Sequence, residues 1–197
     1  SNHKVFGEAI AVLAGDALLS FAPQLIIEKS KNLSSDTLIK VLHEFTTTAG
    51  AYKLIAGQVA DIESEKGNIK GDKAETLEYI HTHKTADLFK LALKSGAIIA
   101  GATQEQVDEM DEFGQIYGIA FQIYDDIMDE IATFEELGKT IGKDKEAGKL
   151  TYVSLYGLEQ AKTRVRELVK QGHDIIDKYN SDIFSNMLDK LVEKIDR

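Results

Sequence analysis

Wound at about 100° per residue, the segment around residue 125 puts Gln122, Asp125, Asp126 and Asp129 within an arc of roughly 100°. Ile116, Ile119, Ile123, Ile127 and Ile131 fall on the far side. Three carboxylates and an amide thus share one helix face, widened by apolar Tyr117, Phe121, Tyr124 and Met128. Carboxylates so placed repel one another and call for a cation. Their oxygens suit Mg2+ or Ca2+ rather than a soft metal, and Mg2+ is usually held by one or two carboxylates together with waters and substrate phosphates. A solvated acidic face is the competing explanation of the same spacing.

Further polar spots could serve an anion. Gln58 and Asp61 lie one turn apart in an otherwise apolar helix, beside Gly57, whose missing side chain lets another group approach; a satisfied core contact would look the same. Lys84 and Thr85 open an apolar stretch, where the first amides of a helix can receive an anion. The loop from Gly138 to Lys149 carries Lys139, Lys143, Lys145 and Lys149 against Asp144 and Glu146, in a chain that is otherwise acidic. It lacks the glycine spacing of a P-loop, and a solvated surface loop is the alternative. His81 and His83, two apart, point to nearly opposite sides of a helix and so read as surface or core residues rather than as metal ligands. Asp16, in an apolar helix, has no chemistry assigned to it, and neither a Gly-x-Ser-x-Gly nor a His-Glu-x-x-His motif occurs.

These residues need a scaffold, and composition says which kind. One proline in 197 residues, with 43% hydrophobic and 28% charged side chains, favours long helices over turn-punctuated strands. An all-α single domain spanning residues 1–197 is expected, with a core large enough to be self-supporting. The net charge of −10 argues against nucleic acid as a partner, so any phosphate site must be local. The absence of cysteine removes disulfides, thiolate metal sites and thiol catalysis, and fits a cytoplasmic setting. Asp16 interrupts the best apolar run, so no stable membrane insertion is expected.

Apolar periodicity predicts an all-round apolar central helix from about Lys4 to Glu28, and one long helix from Leu38 to Val59. A capped short helix should follow Asp72, another helix His83, and a third should start at Thr103 and run to about Ile131. Two closing helices are expected over 152–171 and 174–195.

Taken in order, several segments resemble the all-trans polyprenyl diphosphate synthases. They are His3-Lys4-Val5-Phe6-Gly7-Glu8 with Ala14-Gly15-Asp16-Ala17-Leu18, then Gly57-Gln58-x-x-Asp61, then His83-Lys84-Thr85-Ala86. Phe121-Gln122-x-x-Asp125-Asp126-x-x-Asp129 follows, then Leu137-Gly138-Lys139-Thr140-x-Gly142-Lys143-Asp144 and Gly148-Lys149-x-Thr151-Tyr152. The likeness loosens only after about Ala161. It implies an isoprenoid synthase helical bundle around an apolar cavity, in which Mg2+ holds the diphosphate of an allylic substrate while isopentenyl diphosphate attacks the cation that forms. The product would be a short-chain prenyl diphosphate, farnesyl or geranylgeranyl.

By the same resemblance Asp125 is a direct Mg2+ ligand, with Asp126 and Asp129 acting partly through water. Lys84, Lys139 and Lys149 contact diphosphate, Thr85 and Gln122 face the developing cation, and Gln58 and Asp61 line the mouth opposite. A homodimer is implied. Family members also carry a first aspartate-rich motif and an arginine pair upstream of the His3 to Glu8 segment, which these residues do not include, so the expectation is an N-terminally truncated bundle, inactive alone. The alternative is a noncatalytic helical subunit of a heteromeric synthase. A bundle binding metal for stability alone would leave Lys84, Lys139 and Lys149 unexplained.

Overall fold

The computed structural model describes residues 2–69, 71–131 and 149–196, which are helical with no strand among them. The elements are α1 (Asn2–Phe6), α2 (Glu8–Lys29), α3 (Ser35–Thr48), α4 (Leu54–Glu65) and α5 (Lys73–Ile80). A π-helical segment, His81–Ala86, runs directly into α6 (Asp87–Ile99). Then come α7 (Gln104–Ile131), α8 (Tyr152–Tyr156), α9 (Leu158–Ile176), a 3-10 turn at Asp177–Tyr179 and α10 (Asp182–Ile195).

Helix α7 is the axis. Its apolar face, with Phe113, Ile123 and Ile127 fully buried, meets α6 on one side and α9 on the other, where Ala161, Val165 and Ile176 are equally buried. Leu188, Leu191 and Ile195 of α10 close the cluster. The start signals act as the sequence leads one to expect. Asp72 accepts from Ala74 N–H at 2.8 Å and Glu75 N–H at 3.1 Å. Thr103 and Gln106 exchange backbone and side-chain bonds of 3.0 and 3.3 Å, a reciprocal box at the head of α7. Lys94 bridges Glu44 of α3 at 2.9 Å and Asp111 of α7 at 3.4 Å. Burial works to lower its pKa, but the two carboxylates outweigh that and hold it above the ordinary lysine value.

Several boundaries differ from expectation. The long helix predicted over 38–59 is two, separated at 49–53, because Ala49 caps α3 and the chain turns before Leu54; the apolar spacing of three and four runs on through the break, so periodicity cannot register it. The predicted 152–171 helix is broken at Gly157 into α8 and α9, and α9 extends to Ile176, with α10 starting only at Asp182. The loop at 138–148, with Lys139, lies outside the described residues.

The largest difference is α2. Its apolar residues surround the helix, as expected of an enclosed element, yet none of its 22 residues is buried among the described residues. It is also long and apolar enough, at a mean hydropathy of 1.8, to meet the length and composition of a membrane span, Asp16 notwithstanding. The core helix of a soluble bundle meets the same criterion.

Candidate active site

Lys84 and Thr85 do not open a helix. They lie within the π-helical segment, which is continuous with α5 and α6, so their amides offer no free helix N-terminus. The sequence signal misleads here because a π turn has no composition of its own. What the segment does is fan its side chains onto different neighbours.

Two glycines let it sit deep. A Cβ on Gly57 of α4 would fall 2.4 Å from the Lys84 nitrogen and 2.7 Å from the His83 carbonyl carbon. On the other side, a Cβ on Gly118 of α7 would fall 2.4 Å from Ala86 Cα. The π segment is therefore gripped between α4 and α7 by backbone contact. Gly57→Ala should lower stability by about 1 to 3 kcal/mol, a drop of roughly 3 to 10 °C in Tm, since neither backbone can yield as a side chain would. Thermal denaturation checks this, and an unchanged Tm would show that the two helices do not approach so closely.

On the α7 side, Thr85 Oγ1 donates to Gln122 Oε1 at 2.7 Å, and Gln122 Nε2 donates to Asp126 Oδ1 at 3.1 Å. Asp126 Oδ2 in turn accepts the Tyr152 backbone N–H at 2.8 Å, taking one of the unpaired donors at the head of α8. His81 Nε2 stands 3.5 Å from the same oxygen, with both side chains almost wholly buried. Gln122 is thereby fixed in orientation by a donor on one side and an acceptor on the other. Asp126, 5% exposed, is committed to the protein on both oxygens. Asp125 and Asp129 are only partly buried. Asp126, Asp129, Glu130 and Lys149 line a cleft of about 170 Å³ with Thr151, Val153 and Ser154, so the acidic face of α7 meets a lysine and the start of α8.

On the α4 side, Lys84 Nζ donates to Asp61 Oδ2, and Asp61 is 3% exposed. Gln58, one turn earlier, is exposed. Of the sequence-derived site residues, the fold joins Asp61 to Lys84 and links Thr85, Gln122 and Asp126, and it brings Asp126, Asp129 and Lys149 to one cleft. It leaves Gln58 outside these contacts. His81 reads from sequence as a surface or core histidine, and only its burial against Asp126 ties it to the site. His83 points elsewhere, to Asp87 at 2.8 Å, as the two-residue offset requires.

The set of donors fits Mg2+ carried with a diphosphate. Among the described residues no three His, Cys, Asp or Glu side chains form a ready-made metal cage. Carboxylates on one face with a lysine across the cleft match an ion that draws its remaining ligands from water and phosphate oxygens.

The polyprenyl synthetase family matches residues 1–186. A dimethylallyltranstransferase of Fischerella ambigua (strain UTEX 1903) is 43% identical over 171 residues, covering 87% of this chain and 49% of that protein. The heterodimeric geranylgeranyl pyrophosphate synthase large subunit 2 of Arabidopsis thaliana is 41% identical, covering 92% and 48%. Among solved structures, the geranyltransferase of Helicobacter pylori, complexed with magnesium and isoprenyl diphosphate, superposes with a TM-score of 0.80 at 28% identity, covering 98% of this chain and 62% of that one. The chain thus spans about half the length of the curated relatives it matches. The ordered motifs, the helical bundle and this match over nearly the whole length agree: the chain belongs to the polyprenyl synthetase family.

Proposed function

We propose that these residues form the diphosphate-binding side of a prenyltransferase that joins an allylic diphosphate to isopentenyl diphosphate, giving a farnesyl or geranylgeranyl diphosphate. The observation that carries the reading is the bonded series Thr85, Gln122, Asp126 and Tyr152, which ties the lysine-bearing π segment to the carboxylate face of α7. Lys84 and Lys149 donate to diphosphate oxygens, joined by Lys139. Asp125 and Asp129 hold Mg2+, and Asp126 braces them through α8. When bound, the metal neutralises the departing diphosphate.

The allylic carbon–oxygen bond breaks with its electrons going to diphosphate. The double bond of isopentenyl diphosphate then forms the new carbon–carbon bond, and the resulting cation gives a proton to the released diphosphate, which restores the alkene. Gln122 Oε1 and Thr85 Oγ1 present fixed oxygen dipoles to the allylic cation, with no reorganisation needed at the moment of ionisation. Gln58, exposed on α4, borders the mouth, with Asp61 buried one turn behind it.

Mg2+-dependent pyrophosphate binding by calorimetry tests the site. Lys84→Ala should weaken it roughly tenfold or more, the value of a charge-assisted hydrogen bond of about 1.5 to 3 kcal/mol. No heat with or without Mg2+ would overturn the reading.

The exposed length of α2 supports assembly with a second chain, a homodimer in the first instance, since so much uncovered apolar surface rarely persists on a monomer. Sedimentation should report self-association, and a well-behaved monomer at high concentration would count against it. The same surface favours the alternative, a noncatalytic subunit covered by a catalytic partner, which predicts association without any diphosphate affinity of its own.

A further inference from the structure

Asp61 is the most costly residue in the site to leave as it stands. Its side chain is 4% exposed, Oδ2 takes the Lys84 ammonium, and Oδ1 is buried without a hydrogen-bond partner among the described residues. Lys84 is the more open of the two, at 29%. The close approach of α4 and the π segment at Gly57, one turn before Asp61, sets the two backbones at the distance from which Lys84 reaches Asp61. A buried carboxylate whose cationic partner is withdrawn suffers a large penalty, and Lys84 is the ion-pair partner of Asp61 among the described residues. That penalty opposes an incoming anion that would pull Lys84 away from Asp61.

Resting on the reading that Lys84 meets diphosphate, we propose that Asp61 is a positioning residue and buried counter-charge: it keeps one ammonium proton of Lys84 and turns the others toward the anion. Lysine has three donors, so one held by Asp61 leaves two for phosphate oxygens. The consequence is electrostatic. Lys84 and Asp61 enter the site as a nearly neutral unit, and the attraction Lys84 exerts on diphosphate is discounted by the carboxylate behind it. Asp61 then contributes to diphosphate recognition without touching the ligand. Net attraction comes from Mg2+ and the remaining lysines, which would make anion capture depend on the metal rather than on Lys84 alone.

The sign of the effect distinguishes this role from a structural one. Asp61→Asn retains an oxygen to accept from Lys84 and removes the negative charge. Pyrophosphate titrated with Mg2+ into the 197-residue chain should then bind about threefold tighter or better, a gain that damaged packing cannot produce. Lys84→Ala should bind roughly tenfold or more weakly, and adding Asp61→Asn to it should recover at least about half of that loss on a logarithmic scale, because the unpaired buried anion is gone. Thermal melts of the same proteins give a reading that needs no ligand. Lys84→Ala should melt lower than the Lys84→Ala, Asp61→Asn double variant.

Weaker binding by Asp61→Asn in a normally folded protein, or a double variant no better than Lys84→Ala in binding and in Tm, would overturn the proposal. Unchanged pyrophosphate binding by Lys84→Ala would instead remove Lys84 from the diphosphate site, a failure of the functional reading that leaves the melting comparison to decide whether the pair is a buried charge unit.

Discussion

In a full-length synthase that carries these residues, Asp125→Ala should cost on the order of 10² to 10³ in prenyl-transfer kcat/KM, and Asp129→Ala far less. The three aspartates share a face, but the fold treats them differently. Asp126 gives one oxygen to Gln122 and the other to the Tyr152 N–H, beside His81, and is buried. It is therefore spent on holding α7 to α8 and on fixing Gln122. Asp125 and Asp129 are the partly exposed members, and Asp125 is the one proposed as the direct Mg2+ ligand. Loss of a direct ligand leaves the diphosphate charge uncompensated, whereas a carboxylate acting through water is replaced in part by another water. Steady-state kinetics of the two variants at saturating Mg2+ check this, with equal and mild losses telling against the assignment. Asp126→Ala should differ in kind, lowering Tm as well as rate, because it takes the acceptor from the Tyr152 amide at the head of α8.

Incubated alone with Mg2+, dimethylallyl diphosphate and labelled isopentenyl diphosphate, the 197 residues should form no elongated product. The proposed reaction must stabilise a departing diphosphate from more than one side. The described residues supply one carboxylate face and hold no group of three metal-ligating side chains. Removing one well-placed stabilising donor from an enzyme site costs about 10² to 10³ in rate, so with a single carboxylate face among the described residues turnover should fall below detection. Pyrophosphate binding should survive, because Lys84, Lys149 and the Asp125 to Asp129 face remain. Radiolabel in farnesyl or longer product, resolved by chromatography, would show that one face suffices.

Much of this protein is written in local patterns. Absent cysteine, a single proline and repeats at three and four residues specify helices, and Asp72 and Thr103 mark helix starts to the residue, because a cap is a contact between near neighbours in sequence. The carboxylate face of α7 is equally local, since 3.6 residues per turn alone put Gln122, Asp125, Asp126 and Asp129 together. The ordered motifs identified the family for the same reason, each being a short run read in place.

Contacts across tens of residues were decided by the tertiary structure alone. Periodicity carried straight through the 49–53 break, because apolar residues keep a spacing of three and four in sequence while the backbone turns. The π turn at His81–Ala86 has no sequence signature, and it is what sends Lys84 to Asp61, 23 residues earlier, and Thr85 to Gln122, 37 later. Identical aspartates became unlike because Tyr152, 26 residues beyond Asp126, presents its amide to one of them. An all-round apolar α2 was legible as a helix to be enclosed, but composition cannot say by what: burial belongs to the whole assembly of neighbours, whereas helicity and capping belong to a single turn.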